Sequence, residues 1–116
     1  MGGLQTFSHI ETFGEEKMYV NIIRSSVRSV VAICDDELLG KIFEEGVAQL
    51  HVRENFYAGE KKGRGDVLLI VKRMMKEDAT FNVVGGESVD VLIECGALTK
   101  EGVGEVDGVK FGLVLI

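Results

Sequence analysis

No uninterrupted apolar run in this chain exceeds five residues, the length of Val67 to Val71. That limit removes several ways of burying hydrophobic surface. A membrane-crossing helix needs about 20 apolar residues in succession, so no membrane span is expected. The first seventeen residues carry neither the basic start nor the apolar stretch of a secretory signal, and a cytoplasmic location is the expectation. What remains is a set of short elements that must pack on one another. With 116 residues, 46% of them apolar and 28% charged, the composition is that of an ordinary folded chain with one core.

The apolar blocks show two periodicities. Met18 to Arg24 (MYVNIIR) and Arg28 to Cys34 (RSVVAIC) are rich in β-branched residues and flank Ser25, Ser26 and Val27, which predicts a β-hairpin. Asp35, Asp36 and Glu37 then stand where a helix wants its cap and first-turn acids. Leu38, Leu39, Ile42 and Phe43 supply a helical face, and Gly46 a stop. Val47 to Val52 alternates as a strand. Arg53 to Gly65 (RENFYAGEKKGRG) has the composition of a mobile surface loop.

Asp66 is the expected cap of a second helix that buries Val67, Leu68, Val71, Met74 and Met75 and leaves Lys72, Arg73 and Lys76 to solvent. A short strand at Ala79 to Val84, a third helix at Glu87 to Cys95 closed by Gly96, and a hairpin turning at Asp107-Gly108 complete the pattern. The prediction is an α+β fold, a two-layer sandwich of a mixed sheet and about three helices on one of its faces, over residues 18–116. Residues 1–17 form an N-terminal extension in which Leu4, Phe7, Ile10 and Phe13 recur every third position, a spacing that fits neither helix nor strand.

Four motifs in this order, CDDELLGKIFEEG (Cys34 to Gly46), NFYAGE (Asn55 to Glu60), NVVGGESV (Asn82 to Val89) and Asp107-Gly108-Val109, resemble the archaeal family known as domain of unknown function 424. The resemblance runs from Met18 to Ile116. It implies a small cytoplasmic archaeal protein with a two-layer α+β fold, associated with the translation apparatus. It also marks Cys34, Asp35, Leu39, Gly40, Phe56, Tyr57, Gly59, Glu60, Asn82, Val84 and Gly85 as characteristic positions. The chain departs from the family where relatives follow the Gly-Val turn with proline and histidine. Here Lys110 and Phe111 stand instead.

Catalytic chemistry finds little footing. Cys34 and Cys95 form no CxxC pair, and His9 and His51 are isolated from them and from each other. No metal site, cofactor or catalytic residue is therefore expected. Cys34 precedes a predicted helix start, a place where a thiol can be activated, but the three acids that follow disfavour a thiolate, so a buried structural role is expected. Asp35-Asp36 and Glu44-Glu45 read as capping and solvated residues rather than acid–base pairs. Gly85-Gly86 before a helix, with Ser88, could meet a phosphate, although no nucleotide-loop pattern is present and Glu87 would compete with the anion.

Charge is more informative. The chain carries a net −6. Between His51 and Lys76, however, seven Lys and Arg face three acids, a local +4 that leaves −10 on the remainder. Phe56 and Tyr57 as stacking groups, with Lys61, Lys62, Arg64, Lys72 and Arg73 as phosphate contacts, make the leading expectation a noncatalytic module that binds RNA or the ribosome. A pocket built from Cys34, Asp35, Tyr57, Glu60, Asn82 and Gly85, for a small ligand or an enzymatic role, is the second expectation. A protein–protein adaptor or homodimer, joined through the apolar N-terminal tail and exposed sheet edges, is the third.

Overall fold

The computed structural model describes residues 16–115. In chain order the elements are β1 (Glu16–Ile23), β2 (Val30–Asp35), a 3-10 turn (Asp36–Leu38), β3 (Ile42–Glu45), β4 (Ala48–His51), and the one-turn helix α1 (Glu54–Tyr57). They continue with β5 (Glu60–Gly63), α2 (Arg64–Lys76), β6 (Thr80–Val84), α3 (Gly86–Glu94), a second 3-10 turn (Lys100–Gly102), β7 (Gly104–Val106) and β8 (Val109–Val114). Six strands make one mixed sheet in the order β5-β1-β2-β6-β8-β7, while β3 and β4 pair separately. Only the β2–β6 junction is parallel.

Register assigns the two sides of the sheet. β1 pairs with β2 so that Tyr19 faces Cys34 and Asn21 faces Ala32, and β2 continues to β6 with Ala32 opposite Asn82 and Cys34 opposite Val84. The alternate residues Met18, Val20, Val31, Ile33, Phe81 and Val83 all point the other way, into a core closed by Val67, Val71 and Met74 of α2 and Val89 and Leu92 of α3. Phe81 and Ile33 are fully buried there, and each such side chain is worth about 1.5–3 kcal/mol of transfer free energy. This is the helix layer of the expected two-layer α+β arrangement.

The second face is covered as well, around the ends of β2 and β6. A smaller core of Ala32, Cys34, Val52, Tyr57 and Val84 lies beneath α1 and the β3–β4 hairpin, with Phe43, Leu50, Phe56 and Phe111 packed around it. The helix expected at residues 36–46 is therefore replaced by a 3-10 turn and a strand. Gly40 takes φ +84 and Gly46 φ +62, which ends the helical geometry early and turns the chain tightly at Gly46-Val47, since Glu45 pairs with Ala48. A glycine with positive φ at the first loop position suits a two-residue hairpin. Leu39, just after the 3-10 turn, and Phe43, in the hairpin, still pack against a core without a helix.

The loop expected at residues 53–65 is also ordered. α1 occupies its first part, and β5 pairs antiparallel with β1, Lys61 opposite Tyr19 and Lys62 opposite Met18. Gly59 permits this entry, because a Cβ there would stand 2.1 Å from the Val20 carbonyl oxygen. α2 follows β5 without a break, with Gly63 at its N-cap, so Asp66 stands inside the first turn and does not cap it. The apolar spacing of Leu4, Phe7, Ile10 and Phe13 lies outside the described residues.

Candidate functional site

Asp35 and Gly85, 50 positions apart in the chain, meet where β2 and β6 end side by side. The Asp35 carboxylate accepts hydrogen bonds from the backbone N–H of Glu87 (3.2 Å), the backbone N–H of Ser88 (2.9 Å) and the Ser88 hydroxyl (2.7 Å). It is thus the cap of α3, supplied from a neighbouring strand, and it compensates the positive end of that helix. Gly85 makes room for it: at φ +109, a Cβ would lie 2.2 Å from the Asp35 Cγ. The helix start considered for phosphate capture already holds an anion, the chain's own.

Cys34 is fully buried. Burial first, then the charges of Asp35, Asp36 and Glu37, push its thiol from 9.0 up to about 12, so it stays protonated and is a poor nucleophile. Tyr57 lies in the same small core, its phenol pushed from 10.0 to about 12 by burial and then by Cys34. Phe56 meets Tyr57 edge to face, ring centroids 5.0 Å apart, and its carbonyl accepts a hydrogen bond from the Asn21 side chain at 2.8 Å. Asn82 sits on the same sheet face beside Ala32, and Glu60 on the outer strand pairs with Lys62 at 3.2 Å.

The described surface carries grooves, two of which bear on the expected site. One, of about 420 Å³, is lined by Gly86, Val89, Asp90, Ile93, Lys100, Val103 and Lys110. The other, of about 290 Å³, runs along Val20, Asn21, Ile22, Gly59, Glu60, Lys62 and Ile70. Of the six residues expected to build a pocket, Glu60 alone lines either groove. Cys34, Asp35, Tyr57 and Gly85 instead pack and cap. Among the described residues no group of three or more His, Cys, Asp or Glu side chains is placed to hold a metal ion, and no helix is long and apolar enough to cross a membrane.

The residues expected to contact RNA do not form one surface. Phe56, Tyr57 and Lys61 lie on the second face of the sheet, Lys61 with its ammonium 5.9 Å from the Tyr19 ring centre and 3.1 Å from Asp36. The hydrogen bond to Asp36 is also what raises its pKa. Lys62 points to the opposite face, as its pairing with Met18 requires. Arg64 is held by three acids of α3, Glu94 at 2.5 Å, Asp90 at 2.9 Å and Glu87 at 3.8 Å. These three cations are neutralised within the protein.

Lys72 and Arg73 differ. They lie on the solvent side of α2 with Lys76, all three exposed, and no ion pair engages them among the described residues. At about 100° per residue, Leu69, Lys72, Arg73 and Lys76 fall within an arc of about 100° on one side of α2, and Leu69 is itself exposed. At the end of the stripe Arg24 meets Glu77 at 3.3 Å. Lys76 shares this surface, as the solvated face expected of the helix has it, although it is not among the expected RNA contacts. The i, i+4 relation of Lys72 to Lys76 was the signal for it.

The fold recurs in a solved structure, described as an uncharacterized conserved protein from Methanopyrus kandleri. It is 23% identical to this chain, covers 84% of it and 90% of its own length, and superposes with a TM-score of 0.76. No curated protein matches the chain. The family model described as Protein of unknown function (DUF424) matches residues 23–115, a span that holds the buried residues of both cores except Met18 and Val20, the Asp35 cap of α3 and the basic stripe of α2. On that match the chain belongs to the DUF424 family.

Proposed function

We propose that this protein is a noncatalytic, cytoplasmic RNA- or ribosome-associated module that holds phosphates on the exposed stripe of α2. The observation that carries the reading is the trio Lys72, Arg73 and Lys76, three solvated cations without an internal partner among the described residues of a chain whose net charge is −6. In an acidic protein an unneutralised basic stripe is a local attraction for polyanions, and the acidic remainder disfavours indiscriminate binding. A noncatalytic role agrees with the protonated, buried Cys34 and with an Asp35 carboxylate committed to capping α3.

Fluorescence anisotropy of unfractionated tRNA against the intact protein at two salt concentrations tests this. Binding should weaken as salt rises, and changing Lys72, Arg73 and Lys76 together to alanine should lower the salt slope by about 2, near 0.7–0.9 for each phosphate that the variant no longer neutralises. An intact protein that binds no RNA at low salt, or a triple variant that binds with an unchanged slope, would overturn the proposal.

A further inference from the structure

Resting on that reading, we infer that the RNA is double-helical and is recognised through its backbone, not through unpaired bases. The argument begins with the aromatics. Single-stranded RNA is held largely by bases stacking on exposed aromatic rings, with cations tracking the backbone. Among the described residues Tyr57 and Phe81 are buried and Tyr19, Phe43, Phe56 and Phe111 are half-buried, so none is exposed. Phe56 and Tyr57 are held against the second core by each other's rings and by the Asn21 hydrogen bond. They also lie on the face of the sheet opposite α2. A base stacked on them would leave its phosphates out of reach of Lys72, Arg73 and Lys76.

The cations provide the second half. They sit on a 13-residue helix whose inner side is fixed by Val67, Val71 and Met74, so their spacing is set by a rigid element. A fixed array of charges gains most against a fixed array of phosphates. A duplex offers that, with about twice the charge per unit length of one strand. An unpaired strand would have to be ordered on α2 with no exposed ring among the described residues to stack on and so offset the conformational entropy it gives up. In an A-form duplex the deep, narrow major groove is closed to side chains, so the exposed cations of the stripe meet phosphates rather than the base edges that long basic side chains can read elsewhere. Affinity should therefore depend little on sequence.

The test compares three labelled probes with the intact protein: an RNA duplex of about 16 base pairs, the length that one compact double-strand-binding domain spans, a second duplex of scrambled sequence, and an unstructured oligouridine of the same length. The two duplexes should bind within about threefold of each other and at least tenfold more tightly than oligouridine, and the preference should disappear in the Lys72, Arg73, Lys76 triple alanine variant. That variant's unfolding midpoint, measured alongside, should stay at the intact value because all three side chains are solvated. Equal or tighter binding of oligouridine would overturn the inference while leaving an RNA-binding function standing. Binding of none of the three would remove the function and the inference together.

Discussion

Asp35 is a buried carboxylate whose three hydrogen-bond donors all come from the start of α3. Replacing it by alanine strands the Ser88 N–H and hydroxyl in the interior and uncaps the part-buried Glu87 N–H, at a cost of about 2–4 kcal/mol. Gly85→Ala should cost a similar amount, because the new methyl group meets the Asp35 carboxylate at a backbone angle that L-residues rarely adopt. Urea denaturation of both variants measures this. A double-mutant cycle between Asp35 and Ser88 should return a coupling of at least about 0.5 kcal/mol, as for groups in one network. The sequence shows Asp35 as a cap, but of the segment that follows it. The helix it does cap begins 51 positions later, and no local pattern reports a contact made across two strands. Cys34 gives a pH prediction. Its thiol and the Tyr57 phenol titrate near 9.0 and 10.0 when unfolded and near 12 when folded, so unfolding releases protons above about pH 9. The stability that these groups contribute is complete below that pH and is lost as pH rises toward 12. Urea midpoints should be level up to about pH 8.5 and fall by pH 10.5, and Cys34→Ala should flatten the fall.

At the scale of elements, the hairpins β1–β2 and β7–β8 and the helices α2 and α3 are plain in the sequence, because each has one periodicity between strong turn residues. Residues 36–46 are not, since Leu38, Leu39, Ile42 and Phe43 satisfy a helical face and a core-facing hairpin equally well. The decision falls to Gly40 and Gly46, whose positive φ angles belong to turns. Gly46→Ala should therefore destabilise by about 1–2 kcal/mol, where the same change in a helix would stabilise. Thermal unfolding of that single variant separates the two structures. Residues 53–65 mislead differently. Lys61 and Lys62 have a loop's composition, yet on β5 they guard an outer strand against pairing with other chains. Arg64 joins α2 to α3 through Glu87, Asp90 and Glu94. Since those acids are largely solvated, Arg64→Gln should cost only about 1 kcal/mol, and less in high salt.

For the molecule as a whole, the sheet order could not be read from the strands. The parallel junction of β2 with β6 bridges more than forty intervening residues, and the excursion between them builds the second face. That excursion also separates the expected RNA-contact residues. Contiguous in sequence from Phe56 to Arg73, they are divided by the sheet into a packed aromatic side and a solvated basic side. Charge density along the chain was a sound guide to where cations concentrate, but internal acids neutralise Lys61, Lys62 and Arg64 and leave Lys72, Arg73 and Lys76 as the cations clustered on α2 that no ion pair engages among the described residues. The most direct test of this division sets two triple alanine variants side by side in RNA binding at low salt, one at Lys72, Arg73 and Lys76 and the other at Lys61, Lys62 and Arg64. The Lys72, Arg73, Lys76 variant should lose at least tenfold in affinity while the Lys61, Lys62, Arg64 variant stays within about threefold of the intact protein, taking roughly 1 kcal/mol per surface charge pair as the scale. Equal losses, or a larger loss from Lys61, Lys62 and Arg64, would contradict the assignment of the binding surface to α2.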